Sequence, residues 1–256
     1  CDSLLRPHQL KEEEKTYPLR FLRCLDCGLA QIDYVVAPDV LFYPEYPYRS
    51  GITPTLVKNL MGTGQKIVDR FQLKEGSLAI DIGSNDGTLL KGFQSKGMKV
   101  LGIEATNIAK IAREGGVDTI QSFFSEKLAS EIVRDRGQAA VITAANVFAH
   151  IPNLGEVLRG VKTLLKEGGV FVTESHYLLD LLETAQYDSI YHEHLKYYSL
   201  KPIMQLMQYY GFQVIDAERI PNYGGSIRVY AAKGGQHQVS ANLKELLNLE
   251  DRAGLY

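Results

Sequence analysis

The sequence has little of what directs a chain to membranes or to nucleic acids. No apolar run approaches the roughly 18 residues that a membrane-spanning helix needs. The formal net charge is only −2, with acidic and basic residues interspersed, so the basic surface typical of nucleic-acid-binding proteins is missing. Repeats and low-complexity segments are also missing, and we expect no leader peptide. We therefore expect a cytoplasmic protein whose partner is neither nucleic acid nor a membrane.

Cysteine is also scarce, with three residues at Cys1, Cys24 and Cys27. The spacing Cys24-x-x-Cys27 is typical of a knuckle in which two thiolates converge on one metal ion. A redox pair fits less well, because the flanking segments 19–23 and 29–34 have the pattern of hairpin arms. Three free thiols are the simpler alternative. We expect the three cysteines, with a ligand from outside this sequence, to hold a structural zinc ion in a lobe too small to bury its own core.

What the sequence does have is a glycine-bearing turn, DIGSNDG at residues 81–87, between an apolar run and a helical pattern. This arrangement suits a nucleotide-type ligand, because the turn lets the backbone come close and the helix N-terminus offers free N–H groups. Gly83 and Gly87 do not form a full dinucleotide fingerprint, and Asn85, which tolerates the left-handed conformation, stands where a middle glycine often lies. Such a turn alone is weak evidence, since many α/β proteins have one for packing.

A single acid strengthens this interpretation of the turn. Glu104 ends the next apolar run, 99–103, at the distance of about 20 residues that is typical of dinucleotide sites. A carboxylate at a second strand end is placed to accept hydrogen bonds from ribose hydroxyls. The turn and Glu104 together predict an adenosine-type site.

From Ser77 onwards, short apolar runs alternate with helical patterns, which is typical of a doubly wound parallel sheet. The predicted strands are 77–82, 99–103, 117–121, 139–145, 169–174, 212–219 and 226–232. The predicted helices are one from Pro54 to Phe71, then 88–96, 106–114, 125–135, 154–166 and 200–210. We expect the pair Gly168-Gly169 to stop a helix, and the last two strands to form a hairpin at the sheet edge.

In an open parallel sheet, ligands bind outside the carboxyl ends of the strands. The residues at these ends include the glycine turn, an acid, aromatic rings and polar groups, as a ligand with adenosine and amino-acid parts requires. We predict a cofactor site formed by Asp81, Gly83, Asn85, Gly87, Glu104, Phe123 and Asn146. His150 lies in the same set, although helix capping or packing explains it equally well.

A long insertion at 176–199 contains the densest group of ionisable residues, YDSIYHEHLKYYS. His192 and His194 suggest a metal site, but a spacing of two puts both rings on one face only in a strand, and no third ligand is obvious. Acid–base chemistry is the favoured hypothesis: a histidine near neutrality, oriented by a carboxylate, with tyrosines that donate to an oxyanion. The remaining alternative is a polar loop whose residues satisfy one another.

Several blocks of sequence together resemble the sugar C-methyltransferase family, enzymes that use S-adenosylmethionine to methylate a carbon of a nucleotide-linked deoxysugar. In chain order the blocks are CLDCGLAQ, YPYRSG, DIGSNDGTLL, ANVFAHIPNL, IYHEHLKYYS and YGGSIRVYAA. The resemblance implies a Rossmann-like class I methyltransferase sheet, S-adenosylmethionine as cofactor, a nucleotide-linked 4-keto-deoxysugar as substrate and a zinc lobe with four cysteines. It also implies a further C-terminal α/β domain beyond the end of this chain.

The resemblance implies roles for individual residues as well. A base removes the proton next to the keto group, and the resulting enolate takes the methyl group at C3 of the sugar. His194 is implied as the base, with Glu193 and Tyr191 supporting the base or the enolate, and Tyr46 or Tyr48 closing the pocket. Two departures from the family stand out: only three cysteines are present, and Tyr223 stands where the glycine-rich turn of the family often has histidine.

The expected domains are a zinc-binding lobe with an aromatic loop at 1–52, a methyltransferase domain at 53–235 and the start of a further region at 236–256. Two other hypotheses stay open. An O- or N-methyltransferase of another small molecule needs no enolate stabilisation, so it leaves the dense histidine and tyrosine loop unexplained. A non-catalytic scaffold that binds zinc, with a degenerate cofactor site, has no need for Asp81, Gly83, Gly87 and Glu104, all of which are present.

Overall fold

The computed structural model describes residues 5, 7–42, 46–235 and 237–256. Cys1, predicted as a zinc ligand, lies outside these residues. Along the described part of the chain, no helix combines the length and the apolar character that crossing a membrane requires.

The N-terminal lobe has a small antiparallel sheet. Strand β1 (Phe21–Arg23) pairs with β2 (Ala30–Ile32), which confirms the hairpin predicted around the cysteine pair. The third strand is β8 (Lys196–Tyr197), which comes from the long insertion and pairs with the other edge of β2. A short helix, α1 (Pro38–Leu41), follows the hairpin. The histidine-rich insertion is therefore attached directly to the N-terminal lobe.

The main sheet contains seven strands in the order β5-β4-β3-β6-β7-β10-β9. Their bounds are β3 (Leu78–Ile82), β4 (Lys99–Glu104), β5 (Thr119–Gln121), β6 (Ala139–Ala145), β7 (Leu165–His176), β9 (Gln213–Ile220) and β10 (Ser226–Ala232). The first five strands in this order are parallel to one another, whereas β10 is antiparallel to both β7 and β9. The predicted parallel sheet with a hairpin edge is confirmed.

Helices cover both faces of this sheet. They are α2 (Pro54–Phe71), α3 (Thr88–Gln94), α4 (Ile108–Glu114), α5 (Glu126–Arg136), α6 (Leu154–Leu164), α7 (Leu178–Glu183), α8 (Leu200–Tyr209) and α9 (Ala241–Arg252). Thr53 caps α2 as predicted, since its hydroxyl accepts from the N–H of Leu56 at 3.3 Å. The glycine turn therefore connects β3 to the start of α3, at the carboxyl edge of the sheet.

The predicted helix stop at Gly168-Gly169 is wrong. Helix α6 ends at Leu164, and the glycine pair lies inside the long strand β7. The backbone N–H of Gly168 donates to the carbonyl of Lys233 at 2.8 Å, so pairing with the C-terminal hairpin extends the strand across the glycines. Periodicity alone does not reveal this pairing, because the partner lies far along the chain.

Alternate residues of each central strand enter different core layers. Ile80 packs with the layer that contains α5 and α6, whereas Ala79 packs with the layer under α2 and α3. Helix α9 belongs to the first layer through Leu243 and Leu246. The segment placed beyond residue 235 in the expected domain division thus shares a core with the methyltransferase domain.

Candidate active site

A cavity of about 890 Å³ opens at the carboxyl edge of the parallel strands, where ligands of such sheets bind. Next to β3, β4 and β5 it is lined by Gly83, Asn85, Glu104, Ala105, Thr106 and Phe123. Next to β7 it is lined by His150, His176, Tyr191, Glu193, His194 and Tyr223, with Tyr46 and Tyr48 also in the wall. This volume lies near the upper end of the roughly 300–1,000 Å³ that is usual for ligand pockets.

Glu104 is buried at the end of β4 and accepts three hydrogen bonds. Its Oε1 accepts from the N–H and the hydroxyl of Thr106 at 2.9 and 2.8 Å, and its Oε2 accepts from the N–H of Asn85 at 3.0 Å. Asn85 has a φ of 51° and Gly83 a φ of 69°, the left-handed conformation expected in this turn. Because a carboxylate oxygen has two lone pairs, Oε2 of Glu104 keeps the capacity to accept from a ligand hydroxyl.

Asp81 and Gly87, also predicted to bind the cofactor, are not in the cavity lining. Asp81 is buried in β3, where the hydroxyl of Thr143 donates to its Oδ1 at 2.6 Å. Burial raises the pKa of Asp81 to about 7 against the lowering effect of this hydrogen bond. Gly87 has a φ of 77°, and a Cβ there would lie 2.8 Å from a methyl of Val117, so a tight packing contact explains the glycine.

Phe123 and Asn146 extend the cavity wall beyond β5 and β6. Phe123 is 52% exposed, which leaves a ring face open for stacking. The backbone N–H of Asn146 donates to the carbonyl of Glu174 at 2.8 Å, while its side-chain Oδ1 is buried with no hydrogen-bond partner among the described residues. Because buried acceptors are normally satisfied, this oxygen is a candidate contact for a ligand N–H group.

A 3-10 helix at Phe148–His150 holds the histidine-rich loop in place. Nδ1 of His150 lies 2.6 Å from the carbonyl oxygen of Glu193, and the N–H of Leu195 donates to the carbonyl of Ala149 at 3.1 Å. A carbonyl only accepts, so Nδ1 of His150 carries a proton. Two separate sequence blocks, ANVFAHIPNL and IYHEHLKYYS, therefore form one structural unit.

His192 and His194 face different surroundings. Nε2 of His192 lies 3.0 Å from the carbonyl oxygen of Pro18 in the N-terminal lobe. His194 is buried against the cavity, with Nδ1 2.8 Å from the carbonyl oxygen of Ser189. Within the described ranges, no three or more histidine, cysteine or acidic side chains are grouped as metal ligands.

The partners of His194 fix its tautomer. Because the Ser189 carbonyl accepts, Nδ1 carries the proton, and Nε2 has a lone pair that accepts from the hydroxyl of Tyr191 at 3.1 Å. The structure thus presents, in the cavity wall, a neutral imidazole whose basic nitrogen lies next to a phenol.

Three imidazoles lie together in this wall. The ring centroid of His194 is 5.1 Å from that of His150 and 4.6 Å from that of His176. Burial, together with a neighbouring imidazole, lowers the pKa of each to about 4. All three are therefore neutral at neutral pH, each able to donate through one ring nitrogen and to accept through the other.

Tyrosines join the two sides of the cavity. The hydroxyl of Tyr46 donates to Oε2 of Glu193 at 3.4 Å, and the hydroxyls of Tyr48 and Tyr223 are 3.2 Å apart. Tyr223 has a φ of 52°, so the turn before β10 directs its ring into the cavity from a strained backbone. Of the two residues that the resemblance implies as pocket-closing, Tyr46 thus contacts Glu193, whereas Tyr48 contacts Tyr223.

Sequence reasoning assigned no role to His176, although this residue ends β7. Its imidazole forms no hydrogen bond within the described part of the chain and lines the cavity beside His194. The rule that ligands bind outside strand ends points to it, but nothing in the sequence shows that the insertion returns to place His194 against it.

Cys24 and Cys27 lie in the turn between β1 and β2. The N–H of Cys24 donates to the carbonyl of Leu29 at 2.9 Å, and the N–H of Gly28 donates back to the carbonyl of Cys24 at 3.0 Å. Backbone N–H groups, chiefly that of Cys27, lower the pKa of the Cys24 thiol, whereas burial raises the pKa of Cys27. Both thiols are free, as in a metal knuckle and unlike a disulfide.

Comparison with known proteins gives matches to two family models. Residues 59–217 match a family model described as "Methyltransferase domain", which covers more than half of the chain. Residues 1–42 match a model described as "Putative zinc binding domain".

Among curated proteins, the chain is similar to C-methyltransferase NovU of Streptomyces niveus, with 35% identity over 244 residues. The match covers 94% of this chain and 58% of NovU, so the chain spans less than two thirds of that relative. Among solved structures, 1,6-didemethyltoxoflavin-N1-methyltransferase of Burkholderia thailandensis has a TM-score of 0.55 at 16% identity, covering 83% of this chain and 99% of that one. Magnesium protoporphyrin IX methyltransferase of Synechocystis PCC 6803 has a TM-score of 0.54 at 13% identity, covering 76% and 92%.

At such identities the two solved structures show the fold alone, which is the predicted Rossmann-like class I methyltransferase sheet. The similarity to NovU confirms the resemblance to C-methyltransferases that the sequence blocks indicated. With a family match over most of the sheet and a strand-end cavity in the expected place, the chain belongs to the methyltransferase-domain family.

Proposed function

We propose that the protein transfers a methyl group from S-adenosylmethionine to a carbon, C3, of a nucleotide-linked 4-keto-deoxysugar. The observation that carries this proposal is the buried group of three neutral imidazoles, His150, His176 and His194, beside an adenosine-type end of the same cavity. A carbon acid needs a base held in place and a donor for the developing enolate. Transfer to oxygen or nitrogen forms no enolate, so a donor for an enolate oxygen beside the base favours carbon as the acceptor.

The fit to S-adenosylmethionine rests on groups next to β4, β5 and β6. Oε2 of Glu104 accepts from the ribose hydroxyls, and the open face of Phe123 stacks on the adenine. Oδ1 of Asn146, buried without a partner among the described residues, accepts from the ammonium group of the methionine part. When bound, the cofactor supplies an electrophilic methyl group on a sulfonium.

His194 acts as the base in this proposal. Its Nε2 takes the proton from the carbon next to the keto group, and the carbonyl of Ser189 holds Nδ1–H and stabilises the imidazolium that forms. Tyr191 donates to Nε2 in the free protein. Once the substrate lies against Nε2, the hydroxyl of Tyr191 turns to the enolate oxygen.

Charge on the enolate needs donors in a dry site. His176 is neutral, lines the cavity and has a ring nitrogen available to donate to the enolate oxygen. Glu193 holds the phenol of Tyr46 and faces the cavity, so these two residues orient the sugar and exclude water from the reacting carbon.

We also propose that Cys24 and Cys27 supply two ligands of a structural zinc ion, with Cys1 as a third. The support is the free thiol pair in a knuckle turn and the family match over residues 1–42. Because β8 pairs with β2, an ordered lobe also holds the histidine-rich loop against the cavity.

The test uses S-adenosylmethionine with an isotopically labelled methyl group and a nucleotide-linked 4-keto-6-deoxyhexose. We expect nuclear magnetic resonance of the product to show the label on a carbon. A label on oxygen or nitrogen contradicts the proposal in favour of the O- or N-methyltransferase hypothesis. Calorimetry with S-adenosylhomocysteine covers the scaffold hypothesis, since a scaffold with a degenerate site shows no binding.

A further inference from the structure

The tyrosine loop, defined here as residues 46–51, lies across the cavity with its two phenols against the far wall. Tyr46 contacts Glu193, and Tyr48 contacts Tyr223. Tyr48 and Arg49 themselves are exposed. An exposed loop keeps such contacts only if something fixes its backbone.

The side chain of Asn85 provides that fixation from the glycine turn. Its Oδ1 accepts from the backbone N–H of Ser50 at 2.8 Å, and its Nδ2 donates to the backbone carbonyl of Tyr48 at 3.2 Å. The side-chain amide of Asn85 thus forms two hydrogen bonds to the backbone of the same loop, one as acceptor and one as donor. The partners lie 35 and 37 residues earlier in the sequence. Asn85 is 9% exposed, so these hydrogen bonds are protected from water.

Asp86 adds a third attachment next to the first two. Its Oδ2 accepts from the backbone N–H of Gly51 at 2.7 Å, while its Oδ1 accepts from the hydroxyl of Thr88 at 2.7 Å at the start of α3. A Cβ on Gly51 would lie 2.5 Å from Oδ2 of Asp86, so the loop approaches the turn as closely as only glycine allows.

The backbone of Asn85 faces the other way. Its N–H donates to Glu104, the acid proposed to bind the ribose, while its side chain holds the loop that carries the phenols. With a φ of 51°, Asn85 directs its N–H and its side chain to these two different partners. Asparagine tolerates this backbone conformation, and its side-chain amide can both donate and accept hydrogen bonds. Glycine also tolerates this conformation, but it has no side-chain amide to hold the loop.

We propose that Asn85 is a positioning residue for the tyrosine loop, and that its side chain sets the place of Tyr46 and Tyr48 rather than binding the cofactor. The consequence for catalysis rests on the proposed function. By holding the tyrosine loop in place, Asn85 affects binding of the sugar indirectly. The attachment itself is independent of which substrate the enzyme uses.

Trypsin cleavage after Arg49 tests the attachment without any assay of activity. The full chain, wild type or Asn85→Gly, is digested briefly, and mass spectrometry follows the new N-terminus at Ser50. Loss of two hydrogen bonds is expected to raise the cleavage rate about tenfold, since proteolysis follows the open population when reclosing is fast. Gly51→Ala, which leaves Asn85 intact and has an ordinary φ of −84°, is expected to do the same from the loop side.

Asn146→Gly is the matched control. Asn146 is another asparagine of the same cavity wall, with a φ of 56° and no contact to the tyrosine loop among the described hydrogen bonds. Its replacement is expected to leave cleavage after Arg49 within about twofold of wild type, as for sites that do not share partners. If Asn85→Gly accelerates cleavage after Lys91, inside α3, as much as cleavage after Arg49, the variant unfolds globally and the proposal is overturned.

Asn85→Asp separates positioning from cofactor binding. It keeps the acceptor for Ser50 and loses the donor to the carbonyl of Tyr48. We expect the KM for the nucleotide-linked 4-keto-6-deoxyhexose to rise about tenfold, while the Kd for S-adenosylhomocysteine stays within about threefold of wild type. Unchanged cleavage with a weakened S-adenosylhomocysteine affinity makes Asn85 a cofactor ligand and overturns the proposal. If cleavage accelerates but the sugar is no substrate, the attachment stands and the proposed function fails.

Discussion

The hydroxyl of Tyr191 lies 3.1 Å from Nε2 of His194, while the carbonyl oxygen of Ser189 lies 2.8 Å from the opposite ring nitrogen. The backbone thereby fixes which nitrogen is basic, and the phenol marks the position that a substrate proton would take. A histidine whose tautomer is already fixed needs no change of tautomer before it acts as a base.

Replacement of His194 by asparagine keeps polarity and similar size but removes basicity. We expect turnover to fall on the order of 10²–10⁴-fold, as for the loss of a general base. Affinity for S-adenosylhomocysteine is expected to survive, because the cofactor end of the cavity uses other strand ends. Release of deuterium from the substrate carbon into solvent gives the direct readout, and it should slow as much as turnover does.

His192→Asn is the control for this experiment. His192 faces Pro18 in the N-terminal lobe, so turnover should stay within about threefold of wild type. Normal turnover in His194→Asn together with a loss in Glu193→Gln would move the base to Glu193.

The pH dependence of kcat/KM should reflect the buried state of His194. The base must be neutral, and burial together with His150 lowers its pKa from 6.5 to about 4. Activity is therefore lost only as the pH falls through about 4, and it is flat from mildly acidic to neutral pH. A profile with its midpoint near 6.5, as an unperturbed histidine gives, would show that His194 is not buried in the working enzyme.

Stability should change with pH in the same window. The folded pKa of His150, His176 and His194 is about 4, below the value of 6.5 for the unfolded chain. Between pH 4 and pH 6.5 the unfolded chain binds more protons than the folded chain. The contribution of the three histidines to folding stability is therefore complete above pH 6.5 and is lost as the pH falls towards 4. Burial raises the pKa of Asp81 to about 7, so its contribution to stability changes with pH in the opposite direction. It offsets the effect of about one of the three histidines. Urea unfolding across this range measures the net slope, and His176→Asn should reduce it.

Much of this fold follows from local patterns in the sequence. The short apolar runs such as Ala79 to Ile82 and the left-handed turn at Asn85 are properties of neighbouring residues, and the structure has them where periodicity and turn chemistry predict them. Gly168 shows the limit, because its strand depends on Lys233, which no local pattern connects to it.

Less of the candidate site than of the fold can be predicted from the sequence. The position of Glu104 is set by its strand end, so the sequence predicts it. The contact of His176 with His194 depends on how an insertion folds back, and the use of the Asn85 amide depends on a loop 35 residues earlier. Both are tertiary relationships in which side chains meet across long sequence separations, and neither residue type in isolation indicates them.

His176 is expected to contribute without being the base. His176→Phe keeps a ring of similar bulk beside His194 and removes both nitrogens. Loss of one donor to an enolate oxygen should lower kcat by about 10²–10³, as at an oxyanion hole, with little change in S-adenosylhomocysteine affinity. Turnover equal to wild type would leave His176 a packing residue. His192→Phe serves as the matched control.

Glu104 provides the test of the cofactor end. Glu104→Gln keeps the size and one acceptor but removes the charge that strengthens hydrogen bonds to ribose hydroxyls. We expect binding of S-adenosylhomocysteine to weaken by roughly 1–3 kcal/mol, measured by calorimetry. Glu126→Gln, at an exposed ion pair with Arg159, controls for the loss of one negative charge and should leave the affinity unchanged. An unchanged dissociation constant in Glu104→Gln contradicts its assignment to the ribose.

The last prediction concerns the cysteine knuckle. A closed four-ligand zinc site requires about one zinc per chain, which elemental analysis of the full-length protein measures. Cys24→Ser and Cys27→Ser should each release the metal and loosen the hairpin, whereas Asp26→Ala, between the two thiols, should retain it. Because β8 joins the hairpin to the loop that carries His194, metal loss should also lower methyl transfer while S-adenosylhomocysteine still binds. A protein without metal, or one with a disulfide between Cys24 and Cys27, contradicts the zinc proposal. Full activity in a metal-free variant would instead show that the hairpin holds the histidine-rich loop without help from zinc.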